Sequence, residues 1–192
     1  MKIKVNHFLE SIVFSYEMGL TVSQWAGVEL SLGEVVSCFF HDKSIRASFI
    51  GFHSIQNFQT KLAYADNVLK SHIKIKSDLK KWIALYKRLD SVSKSRNHLA
   101  HFTQIVDTGS TPGRTYQLQN WDPKSDKTSK IHLQDVVQIR YDMFALNLSL
   151  QNYALILRDE NPRYEKTSET PMKAPKGIEI IKQFQEVITP ML

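Results

Sequence analysis

The sequence predicts an all-α fold, mainly helix, with a small β-hairpin late in the chain. Apolar residues recur at alternating steps of three and four through four long segments, the period of a helix with one buried face. Strand-like alternation is confined to a short stretch around residues 116–133, and turn-forming glycines and prolines gather near 107–114 and 158–177. At 192 residues, with 42% hydrophobic and 23% charged side chains, the chain is long enough to bury a substantial core.

Phe8, Leu9, Ile12, Val13 and Tyr16 form a first short amphipathic stretch, which Gly19 is expected to break. The next helix, 22–40, is marked by Trp25, Val28, Leu32, Val35 and Phe39, with Thr21 or Ser23 placed to cap it. A second long helix is predicted over 52–73, with Ile55, Phe58, Leu62, Ala65 and Leu69 inward. A third runs over 77–102, where Ser77 is placed to cap and Asp78 suits the positive end of the helix dipole. Its apolar face is Trp82, Leu85, Leu89, Val92 and Leu99. The fourth is predicted over 133–157, on Val137, Tyr141, Phe144, Leu148 and Leu155. The hairpin is expected around Asp122-Pro123. These elements divide the chain into a helical bundle over 1–157 and a tail over 158–192. The tail is a polar linker followed by a short helix on Ile178, Ile181, Phe184 and Ile188 that docks back or onto a partner.

The lone Cys38 excludes an internal disulfide and a four-cysteine zinc site. Polar residues from Asn6 to Glu17 interrupt any leader-like apolar core, and no stretch approaches the roughly 20 apolar residues of a membrane span. A cytoplasmic protein that makes no use of a membrane is therefore expected. The net charge of +6 is concentrated. Between Lys61 and His101 stand ten lysines and arginines against Asp66, Asp78 and Asp90 alone, a balance that suits RNA or simply a solvated helical face.

The chemistry is expected at the end of the third helix. At about 100° per residue, Arg96 falls in the middle of the apolar stripe, where a core residue belongs. Such rule-breaking marks a functional site or a buried ion pair. Asn97 and His101 share one flank, while His98 points away from the stripe. Arg96 and His101 diverge by about 140°, so a single copy converges poorly, whereas a two-fold axis lets two copies meet.

The run Arg96-Asn97-His98-Leu99-Ala100-His101 resembles the R-x4-6-H motif of the HEPN superfamily, in which the arginine is followed by a polar residue near the end of a long helix. The resemblance implies an up-and-down helical bundle, a homodimer with a composite site, and RNA cleavage by the ribose 2′-hydroxyl without metal or other cofactor. It assigns His101 as general acid or base, Arg96 as stabiliser of charge on the pentavalent phosphorus, and Asn97 as the group orienting His101 or the phosphate. Lys87, Arg88 and Lys94 would bind RNA, and Glu29 or Asp66 would supply the auxiliary acid that some HEPN groups carry. Defence, stress or a toxin–antitoxin pair is the implied setting, with an antitoxin or regulator as a further partner.

Two other readings compete. His98 and His101 stand three apart, but they differ in direction by about 60° and lack a carboxylate at ligand spacing. A non-catalytic helical module binding RNA, a nucleotide or a protein would keep the same motif. Gly109-Ser110-Thr111-Pro112-Gly113 lacks the lysine of a phosphate loop, no serine-hydrolase elbow occurs, and Trp25, Trp82 and Trp121 read as core anchors rather than stacking platforms.

Overall fold

The computed structural model describes residues 7–40, 43–101, 103–106, 116–122, 127–158, 174–177, 179–181 and 183; the side chains of 7–8, 43–45 and 101–129 lie outside that description. The chain is mainly α-helical, as its periodicity predicts. The described elements are α1 (His7–Ser37), α2 (Lys43–Ser54), α3 (Phe58–His72), α4 (Lys76–His101), β1 (Thr103–Val106), β2 (Tyr116–Asp122), β3 (Lys127–His132) and α5 (Leu133–Leu157). They fall into two compact units. The first comprises Met1–Ser23, Ser95–Tyr141 and Met172–Leu192, and the second Gln24–Lys94 and Asp142–Pro171.

The second unit is an up-and-down helical arrangement, and its side-chain pairs fix the directions. Trp25 packs edge-on against Phe58 at 4.5 Å, Glu29 meets Lys61, and Phe39 lies 5.4 Å from the ring of His72, so α1 and α3 run parallel. Gln59 Nε2 donates to Ser93 Oγ while Trp82 Nε1 donates to Asp66, so α3 and α4 run antiparallel. Ser31 donates to Asn147 and Cys38 to the Ala154 carbonyl, placing α5 parallel to α1. Leu32, Leu62, Leu69, Trp82, Leu89, Leu146 and Leu150 are fully buried between these helices. Each such side chain contributes about 1.5–3 kcal/mol by leaving water.

In the first unit, Leu9, Val13 and Phe14 of α1, Leu99 of α4 and Leu133, Val136 and Val137 of α5 share one core with Ala174, Ile180 and Ile181. The tail thus docks back on the chain. The backbone N–H groups of Ala174 and Gly177 donate to Gln138 Oε1 and Gln134 Oε1, at 3.3 and 2.6 Å. The expected Ile181 is buried there with Ile180, while Ile178, Phe184 and Ile188 lie outside the described residues. The hairpin is present as β2–β3, and β1 extends it to a three-stranded antiparallel sheet in the order β1-β2-β3.

Several element boundaries differ from expectation. Gly19 does not break α1, which runs unbroken through it. One glycine costs a helix only about 1 kcal/mol, and burial on either side outweighs that. Thr21 does not cap: its hydroxyl donates back to the Glu17 carbonyl at 2.7 Å, inside the helix. The single helix expected over 52–73 is two, because Asn57 is extended and its side chain accepts from Gln59 N and Thr60 N as the cap of α3. The fourth helix begins and ends where predicted, and Val137 is buried as expected, but the later inward residues are Met143, Leu146, Leu150 and Tyr153, and Phe144 is 40% exposed.

Candidate functional site

α4 carries the proposed chemistry at its C-terminal end. Its buried face is Trp82, Leu85, Leu89, Ser93 and Leu99, and Arg96 stands on that face between Ser93 and Leu99, half-buried. Val92, assigned to the stripe, is itself only half-buried, and Ser93 takes the central position. Leu99, three residues on from Arg96, is anchored in the first unit's core. Arg96 Nη1 donates to Asn97 Oδ1 at 3.3 Å. The structure therefore joins Arg96 to Asn97, a pairing that the helix wheel, separating them by about 100°, did not anticipate. Asn97 and His98 are both exposed. His101 is the last residue of α4, and its side chain lies outside the described residues.

Glu29 and Asp66 belong to the other unit, and each is engaged in the same way, by one indole and one lysine. Glu29 accepts from Trp25 Nε1 at 2.6 Å and from Lys61 Nζ at 2.5 Å. Asp66 accepts from Trp82 Nε1 at 3.0 Å and from Lys70 Nζ at 2.7 Å. Both carboxylates fasten helices together, and this is the ordinary structural use of such residues. The buried acids of the first unit, which contains Arg96, are Glu10 and Glu17, at 0% and 2% exposure. Arg140 holds Glu17 through Nε at 2.7 Å and Nη2 at 3.4 Å. Sequence reading passed over both as interruptions of an apolar run. Their seven-residue spacing, on the register of Val13, Phe14 and Thr21, is the signal that places them inward.

The basic stretch separates into buried and exposed parts. Lys61 is buried at 6% exposure, with its ammonium 5.8 Å above the Phe52 ring as well as on Glu29. Lys70, Lys81 and Lys94 pair with the three aspartates, Asp66, Asp78 and Asp90. The hydrogen bond from Lys94 holds the Asp90 carboxyl below its usual range against the opposing effect of burial, with the Lys94 charge and Gln59 assisting. Lys87, Arg88 and Lys94 are all exposed, and Arg88 Nη1 donates to Ser149 Oγ at 3.2 Å. Of the tryptophans, Trp25 and Trp82 are core anchors at 4% and 0% exposure, and the side chain of Trp121 lies outside the description.

Among the described residues, no three histidine, cysteine or acidic side chains gather to hold a metal ion, and no helix is long and apolar enough to cross a membrane. The Gly109–Gly113 loop lies outside them. No family model, curated protein or solved structure matches this chain.

Proposed function

We propose that this protein is a metal-independent endoribonuclease of HEPN type, working in the cytoplasm as a homodimer whose composite site is built from Arg96, Asn97 and His101. The observation that carries the reading is the position of Arg96: a guanidinium on the apolar stripe of a basic helix, hydrogen-bonded to Asn97 and half-open to solvent.

In this reading the 2′-oxygen of the ribose attacks the adjacent phosphorus and loses its proton to a base. The bond to the 5′-oxygen breaks, and that oxygen takes up a proton. The ends left are a 2′,3′-cyclic phosphate and a 5′-hydroxyl. His101 serves as the acid or base, and the Arg96 guanidinium faces the negative charge that builds on phosphorus. Asn97 accepts from the guanidinium through its carbonyl oxygen, and its amide would donate toward phosphate.

The test is incubation of purified protein with mixed tRNA and mRNA in excess EDTA, comparing wild type with Arg96→Ala, His98→Ala and His101→Ala and analysing product ends. Cleavage by wild type and His98→Ala, lost in Arg96→Ala and His101→Ala, with cyclic phosphate ends, is the expected result. RNA that is bound but left intact by every variant would replace the enzyme by a non-catalytic RNA-binding module. Equal losses in the Arg96 and His98 variants would overturn the placement of the site.

A further inference from the structure

We propose that the outward face of α4 is a rail for the phosphate backbone of RNA, formed by Lys80, Lys87 and Lys94 with Ala84 and Ser91 between them. The three lysines stand seven residues apart, and all five side chains are exposed. On an α-helix that spacing gives steps of about 10.5 Å with a drift of about 20° per step, so the ammonium groups form a nearly straight row about 21 Å long. Ala84 and Ser91 occupy the intervening turns and rise too little to hold a strand away from the helix. The acids of this helix leave most of the row unneutralised. Asp78 pairs with Lys81, and only Asp90 reaches the row, at Lys94, through an exposed pair worth less than about 1 kcal/mol that a phosphate can displace.

The partner follows from charge. A row of cations at fixed spacing, with small polar or apolar residues between, matches a repeating anion and reads no sequence. The rail thus deepens the reading of the protein as RNA-directed and rests on it for the choice of polyanion, but it is independent of the cleavage step. It predicts binding that is tolerant of sequence and sensitive to salt.

The full chain is titrated, in EDTA and between 50 and 200 mM salt, against a labelled 2′-O-methyl oligonucleotide, which cannot cleave itself through its 2′-oxygen. Three phosphate contacts on a single strand predict a log–log salt slope of about −2. Replacing all three lysines by Gln should bring that slope near zero, and Ala84→Glu should weaken binding at least tenfold. Lys74→Gln, off the row, should change neither. Unchanged affinity and slope in the triple variant, absence of binding by wild type, or tighter binding to phosphatidylserine vesicles or polyglutamate than to the oligonucleotide would overturn the rail. Lysine-dependent binding of the oligonucleotide, with unmodified RNA left uncleaved, would retain the rail and remove the nuclease; cleavage that survives the triple variant would do the reverse.

Discussion

Buried Lys61 and half-buried Glu29 meet as a pair between α3 and α1, the ammonium 2.5 Å from Oε2, with Trp25 bonded to the other carboxylate oxygen. Two residues that look like surface charges in the sequence are therefore part of the fastening between helices. Glu29→Ala leaves the Lys61 ammonium buried without its counter-charge and should lower stability by about 3 kcal/mol. The double variant Glu29→Leu/Lys61→Met, which removes both charges at similar volume, should lose markedly less. Urea unfolding of both variants checks this, and equal losses would show that the pair matters for packing alone.

Gly19 and Gly33 lie in the same helix but should respond oppositely to alanine. A Cβ at Gly19 meets nothing within 4 Å, so Gly19→Ala gains helix propensity and should stabilise by about 0.5–1 kcal/mol. A Cβ at Gly33 would stand 2.8 Å from His53 Nε2 and 3.1 Å from Phe52 Cδ1, against the helix that packs on it. Gly33→Ala should therefore destabilise by about 1–3 kcal/mol, as overpacking does. Thermal unfolding midpoints that move in the same direction would contradict the placement of α2.

His53 links that contact to pH. Its Nε2 is buried with no hydrogen-bond partner among the described residues. Burial holds its pKa below the ordinary 6.5, and repulsion from Lys61 adds to this against the opposing pull of Glu29. A folded-state value below the unfolded one means that the unfolded chain binds the proton more readily. The contribution of His53 is then fully present above about pH 6.5 and is lost as pH falls toward the depressed value. Stability of the wild type should decline from pH 7 to 5, and His53→Gln should flatten that decline.

Cys38 should be chemically quiet despite being the only thiol. Its Sγ donates to the Glu34 and Ala154 carbonyls at 3.3 and 3.7 Å. Burial pushes its pKa above the usual 9.0, outweighing the nearby Arg158 charge. Reaction with a thiol-specific reagent at pH 7.5 should be slow in native protein and rapid in urea, and equal rates would contradict the burial.

Tyr153 ties the ends of two helices, its hydroxyl donating to the Asp78 carbonyl at 3.0 Å and its ring stacked with Trp82. Burial, with the Asp78 and Cys38 charges, pushes its pKa far above the ordinary 10.0, so it stays a neutral donor at any working pH. Tyr153→Phe should cost about 1 kcal/mol with no change in the pH profile of stability.

What the sequence determined by itself is what depends on local period: helical character, the extent of α5, the hairpin before it, and the place of Arg96 on an apolar stripe. Those signals need only the 3.6-residue repeat and the chemistry of neighbouring residues. The tertiary structure decided what depends on partners remote in the chain. Gly19 stays helical because the residues around it are buried, and Glu10 and Glu17 turn inward. Glu29 and Asp66 are consumed by indoles and lysines from other turns and helices, Asn97 turns to Arg96, and Ala174, Ile180 and Ile181 return to the core of the first unit. A carboxylate in a sequence carries no record of which cation or N–H will reach it. Burial and electrostatics act through space, and only the packed chain brings those groups within a few ångströms.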